Sequence, residues 1–88
     1  MNINIVDLKK KIIYRSTYRG TREMDKLLIS FTKKYIDTFN DIELTYLCDL
    51  LDLDDEYLYK LNQGEEIFIK IQKNKVTQLF KNFIYKNN

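Results

Sequence analysis

The 88-residue chain contains no histidine, no proline and no tryptophan, and only one cysteine, two glycines and three arginines. Without histidine there is no Ser-His-Asp or Cys-His catalytic arrangement and no His-ligated zinc. The single Cys48 permits neither an internal disulfide nor a paired metal or redox motif, which fits a reducing compartment. No uninterrupted apolar run exceeds three residues, as at Leu27, Leu28 and Ile29, so neither a membrane span nor a signal-peptide core is expected. Glycine-rich phosphate loops and proline-rich linkers are absent too. These gaps point away from an enzyme and from any metal site.

What is present describes one small folded domain over residues 1–88. A chain of this size buries only roughly 60% of its unfolded surface, so its core must be economical. Seven Tyr and five Phe within a 44% apolar composition supply that core. The tyrosines are expected to finish its margin and not to stack on bases.

The net charge of +2 conceals a segregation. Residues 1–22 hold six basic groups against one acid (+5), residues 23–66 four against twelve (−8), and residues 67–88 five against none (+5). A nucleic-acid binder would more often carry one continuous basic stripe. The simplest expectation is that opposite segments pack as neighbours. The basic ends keep open an alternative, a small helical nucleic-acid or membrane-surface adaptor.

Apolar spacing is helical almost throughout. Ile5, Leu8 and Ile12 predict an amphipathic helix over residues 4–18. Met24, Leu27, Leu28, Phe31 and Tyr35 predict a second over 21–37. Asn40 and Glu43 have the spacing of a capping box, ahead of Leu44, Leu47, Cys48 and Leu51 on one face; buried there, Cys48 is read as a structural thiol. Asp54 or Asp55 can cap a short fourth helix carrying Leu58 and Leu61, stopped by Gly64. Val76, Leu79, Phe80 and Phe83 predict a last helix over 66–85. The fold expected is all-α, a five-helix bundle. The run Asp52, Asp54, Asp55 and Glu56 lacks the glycine and spacing of a calcium loop and reads as a solvated acidic cap.

One window departs from the general bias. Twelve lysines, with many Ile and Asn, read as codon composition, yet all three arginines fall between residues 15 and 22. Arginine differs from lysine by a planar fork that binds carboxylates bidentately and tolerates desolvation. Gly20, one of the two glycines, stands at the joint between the first two helices and permits a left-handed turn or close backbone approach. Two compatible readings follow. In the first, Gly20 stops one helix, Glu23 hydrogen-bonds back to free N–H groups of the next, and the arginines neutralise the acidic centre. In the second, Arg19, Gly20 and Glu23 form a recognition surface on a rigid corner.

The string RSTYRGTREMDKLL, from Arg15 to Leu28, resembles the signature of the succinate dehydrogenase assembly factors, also called FAD assembly factors or flavinators. Their RGxxE motif is matched by Arg19, Gly20 and Glu23, with Arg15, Ser16, Met24 and Asp25 agreeing around it. Phe31, and then Leu50, Leu51, Asp55, Leu58, Tyr59 and Gly64, extend the similarity. Asp54 and Glu56 stand where the family commonly has proline, Leu61 stands where it often has tryptophan, and the last third agrees only in pattern. The resemblance implies a non-catalytic protein that binds the flavoprotein subunit of succinate dehydrogenase, and in bacteria of fumarate reductase. It implies that the factor promotes covalent attachment of FAD to a histidine of that partner. FAD then belongs to the partner, and the factor holds no cofactor stably by itself. Arg19, Gly20 and Glu23 are the implied contacts: Arg19 on a partner carboxylate or backbone, Glu23 orienting Arg19 or binding the partner. Arg15, Arg22 and Asp25 would support them. A monomer when free, without nucleic-acid or membrane partners, is expected. No transit peptide is recognised and Asp7 argues against one, so a bacterial cytoplasm is expected, with the mitochondrial matrix for relatives.

Overall fold

The computed structural model describes residues 4–64 and 74–84, and within them the chain forms five α-helices. They are α1 (Ile5–Arg15), α2 (Arg22–Tyr35), α3 (Asp41–Leu51), α4 (Asp55–Asn62) and α5 (Lys75–Asn82). The all-α expectation holds. α1 lies chiefly against α3 and more lightly against α2, while α5 closes the bundle against α3 and α4.

Each helix turns the stripe its spacing predicts toward the core, with Ile5, Leu8, Tyr35, Leu79 and Phe83 partly buried at its margin. Met24, Leu27, Leu28 and Phe31 of α2 are buried, as are Leu44, Leu47, Cys48, Leu50 and Leu51 of α3. Ile12, Leu58, Leu61, Val76 and Phe80 complete the core from α1, α4 and α5. Phe31 is its aromatic centre, with ring centroids 5.0 Å from Tyr35, 5.1 Å from Phe80 and 5.3 Å from Phe83.

Local capping sets the starts. Asn40 and Glu43 form the expected capping box, Asn40 N–H donating to Glu43 Oε1 and Glu43 N–H to Asn40 Oδ1, both at 2.9 Å. Asn74 and Thr77 form a second box that fixes the start of α5. The predicted last helix over 66–85 is corrected accordingly. Asn74 is extended, α5 begins at Lys75, and Phe83 is extended again. Residues 66–73 and 85 of that expectation lie outside the described residues. Asp54 occupies the N-cap of α4 without a side-chain cap bond, and Gly64 adopts the left-handed φ of +80° that ends it.

The first helix is also shorter than its predicted span of 4–18. It stops at Arg15, where the Ser16 N–H meets the Ile12 carbonyl at 3.0 Å and Ser16 Oγ donates to the Ile13 carbonyl at 2.8 Å. The freed residues 16–21 form the corner between α1 and α2.

Candidate functional site

The corner is held from inside by Arg19. Its side chain is only 15% exposed and reaches across to the junction of α3 and α4. Nε donates to Asp55 Oδ1 at 2.9 Å, Nη1 to the carbonyls of Arg15 at 3.0 Å and Leu51 at 2.8 Å, and Nη2 to the Leu53 carbonyl at 2.7 Å. Helix C-termini leave carbonyls without partners and carry partial negative charge. α3 has no basic residue in its own last turn, so Arg19 supplies from another element what its C-terminus lacks. Arg15, one turn earlier, pairs with the side chain of Asp52 just past the end of α3, while its Nη1 lies 3.7 Å from the Cys48 sulfur. The acidic run therefore does more than face solvent. Asp52 and Asp55 anchor the two arginines.

The backbone of the corner is equally constrained. Asp25 accepts a hydrogen bond from the Arg19 N–H, and Thr21 caps α2 by accepting from the Met24 N–H at 3.2 Å. Gly20 has φ +114°, which L side chains rarely adopt, and a β-carbon there would stand 3.5 Å from Asp55 Oδ2. The need for glycine is thus one of backbone angle more than of space. Tyr18 also takes a positive φ, +55°, and is 89% exposed. A bulky residue in this region is strained, and such strain concentrates where surrounding contacts over-determine the backbone.

Two sequence expectations about Glu23 are corrected here. It neither orients Arg19 nor caps free N–H groups, because Asp25, Asp55 and Thr21 already fill those roles. Glu23 sits at the second position of α2, one residue short of the capping-box position, and points outward. Among the described residues it makes no hydrogen bond or ion pair, and the same is true of exposed Arg22. Of the six candidate residues, then, Arg15, Arg19 and Asp25 are engaged internally, whereas Gly20, Arg22 and Glu23 lie on the surface.

Concave surfaces flank the corner on both sides. One, of about 610 Å³, is walled by Tyr14, Tyr18 and the Arg15–Asp52 and Arg19–Asp55 pairs. The other, of about 380 Å³, opens beside Glu23 between the start of α2 and the ends of α4 and α5. The exposed tyrosines were missed from sequence. Tyr35 and Tyr46 do finish the core margin, but Tyr14, Tyr18, Tyr57 and Tyr59 are exposed. Tyr14 and Tyr18 lie off the apolar stripe of α1 and alternate with arginines, the signal that could have flagged them.

The charge segregation resolves as neighbouring segments. Lys9 pairs with Asp37 at 3.2 Å, Arg15 with Asp52, Arg19 with Asp55 at 2.9 Å, and Lys75 with Glu43 at 2.8 Å. Each joins a basic end of the chain to its acidic centre, so these cations form no free stripe for a polyanion. Among the described residues no group of three or more His, Cys, Asp or Glu side chains could hold a metal ion, and no helix is long and apolar enough to cross a membrane.

The chain is 37% identical over 51 residues to the FAD assembly factor SdhE of Wigglesworthia glossinidia brevipalpis, covering 58% of this chain and 61% of that one. It is 39% identical over 51 residues to the mitochondrial succinate dehydrogenase assembly factor 2 of Meyerozyma guilliermondii, covering 58% of this chain and 38% of that one. The match thus spans less than two thirds of either relative. No solved structure matches. The family described as the flavinator of succinate dehydrogenase matches residues 10–84, from the middle of α1 to the end of the described region, and the chain belongs to that family.

Proposed function

We propose that this chain binds the flavoprotein subunit of succinate dehydrogenase, or of fumarate reductase, and promotes covalent attachment of FAD to it without being an enzyme. The observation that carries the reading is the corner itself. In a chain of the flavinator family, the RGxxE residues stand on a turn fastened by Arg19 from below, with Gly20 and Glu23 on the surface.

Such a corner is suited to holding another protein in one arrangement. The backbone that carries its contact residues is held before binding, so little backbone ordering entropy is lost when a partner arrives. Binding energy can then go into orienting the partner's domains around its flavin. FAD and the histidine it joins belong to the partner, and this chain, with no histidine of its own, supplies position. Glu23, Gly20 and Arg22 meet the partner directly, while Arg15, Arg19 and Asp25 support them from within. The factor acts wherever that flavoprotein matures, the cytoplasm of a bacterium in this reading.

The test is coexpression of the cognate flavoprotein with the wild-type chain, Gly20→Arg or Glu23→Ala, reading covalent flavin by fluorescence on a denaturing gel. Wild type should raise flavin attachment well above a factor-free control, and both variants should fall toward it. Equal attachment in all of these would refute the reading.

A further inference from the structure

We propose that the concavity beside Glu23 receives an arginine side chain of the flavoprotein partner. This rests on the assembly reading above and adds to it the chemistry of one contact.

The argument begins with the acceptors. Glu23 is an exposed carboxylate with no cation paired to it among the described residues. On the wall beside it, Asn62 Nδ2 donates to the carbonyls of Phe80 and Phe83, both at 2.9 Å. Only the NH2 group can serve two carbonyl oxygens, so the amide orientation is fixed and Oδ1 is left as an acceptor. Glu23 and Asn62, residues with acceptors of different kinds, both line one space of about 380 Å³.

The remaining surfaces suit a long cation with an apolar stem. Met24 and Leu27, 6% and 8% exposed, show the floor to be the edge of the core. An arginine's methylene stem can cover such a floor while its head stays at the polar rim. Tyr59, 55% exposed, lines the same space, and a tyrosine ring can take a guanidinium on its face. Arginine fits better than lysine because its planar fork can meet a carboxylate and an amide oxygen together and stack on a ring.

Lys81, in the last turn of α5, also lines the rim. Its charge opposes a cationic occupant and would favour an anionic one, which makes it a test of sign. In titrations of the purified flavoprotein subunit, Glu23→Gln should weaken binding about tenfold or more, and Tyr59→Ala should weaken it in the same direction. Lys81→Gln should tighten binding. A photocrosslinking residue at position 59 should capture a partner segment that contains arginine. Circular dichroism checks that these surface variants keep the helical fold.

If Lys81→Gln weakens binding, or the captured segment has no arginine, the proposal is overturned. If the wild-type chain binds and promotes flavin attachment while Glu23→Gln and Tyr59→Ala bind as tightly, the arginine contact is wrong and the assembly reading stands. If the wild-type chain does not bind the flavoprotein at all, both fall together.

Discussion

Arg19 is the residue on which the corner and the α3–α4 junction converge, because one rigid fork reaches a carboxylate and three backbone carbonyls at once. Lysine carries the same charge, but its three N–H donors radiate from one nitrogen and cannot reach acceptors that Arg19 meets from Nε, Nη1 and Nη2. Arg19→Lys should destabilise the fold by about 2 kcal/mol, the scale of a lost charge-assisted hydrogen bond in a part-buried site. Thermal unfolding checks this, and a lysine variant as stable as wild type would mean that only charge is needed there. The importance of Arg19 was legible in the sequence, because arginine is rare in the chain and clusters in one window. Its inward role was not. Three of its acceptors are main-chain oxygens, one of them at the end of a helix more than thirty positions away, and no residue type announces a free carbonyl.

At the scale of elements, capping chemistry is the most readable feature and helix length the least. Asn40 and Glu43 start α3 as their spacing predicts, since the box closes within four residues and needs no tertiary partner. Glu43 then does a second thing that spacing could not show. Its Oε2 meets Lys75 Nζ at 2.8 Å and ties the start of α3 to the start of α5. The Lys75 hydrogen bond, and after it the Asn40 N–H, hold the Glu43 carboxyl below its ordinary range, against a smaller opposing effect of burial. A carboxylate whose folded value is lowered contributes stability that is present above its unfolded value and lost as pH falls through the folded one. Unfolding followed by circular dichroism should therefore show the gap between wild type and Glu43→Gln shrinking on acidification, and open at neutral pH with wild type the more stable. A gap independent of pH would argue that the Glu43 charge contributes nothing. The lengths of α1 and α5 escaped the sequence because apolar spacing continues past the point where Ser16 and Asn74 divert the backbone.

Over the whole molecule, Phe31 of α2 is fully buried, its ring against Phe80 of α5 and Phe83 just beyond it. Phe31→Ala should cost about 3–5 kcal/mol, from lost transfer energy and the cavity left behind. A domain of this size has only about 5–15 kcal/mol in all, so the loss should appear as a large drop in Tm and a weakened near-ultraviolet signal. A drop of only a degree or two would mean that α5 is not held through this contact. The amino-acid sequence by itself determined the helical class, the apolar stripes, the capping box of α3 and the position of the corner, because each depends on residues within one or two turns of one another. The tertiary structure decided which charges are engaged inside and which remain exposed. Arg15 and Arg19 turn inward because the C-terminal end of α3 needs cations that it does not carry, and Glu23 is left outside because Asp25, Asp55 and Thr21 already fill the places it could have taken. That division rests on contacts between residues far apart in the chain, which only the folded arrangement brings within reach.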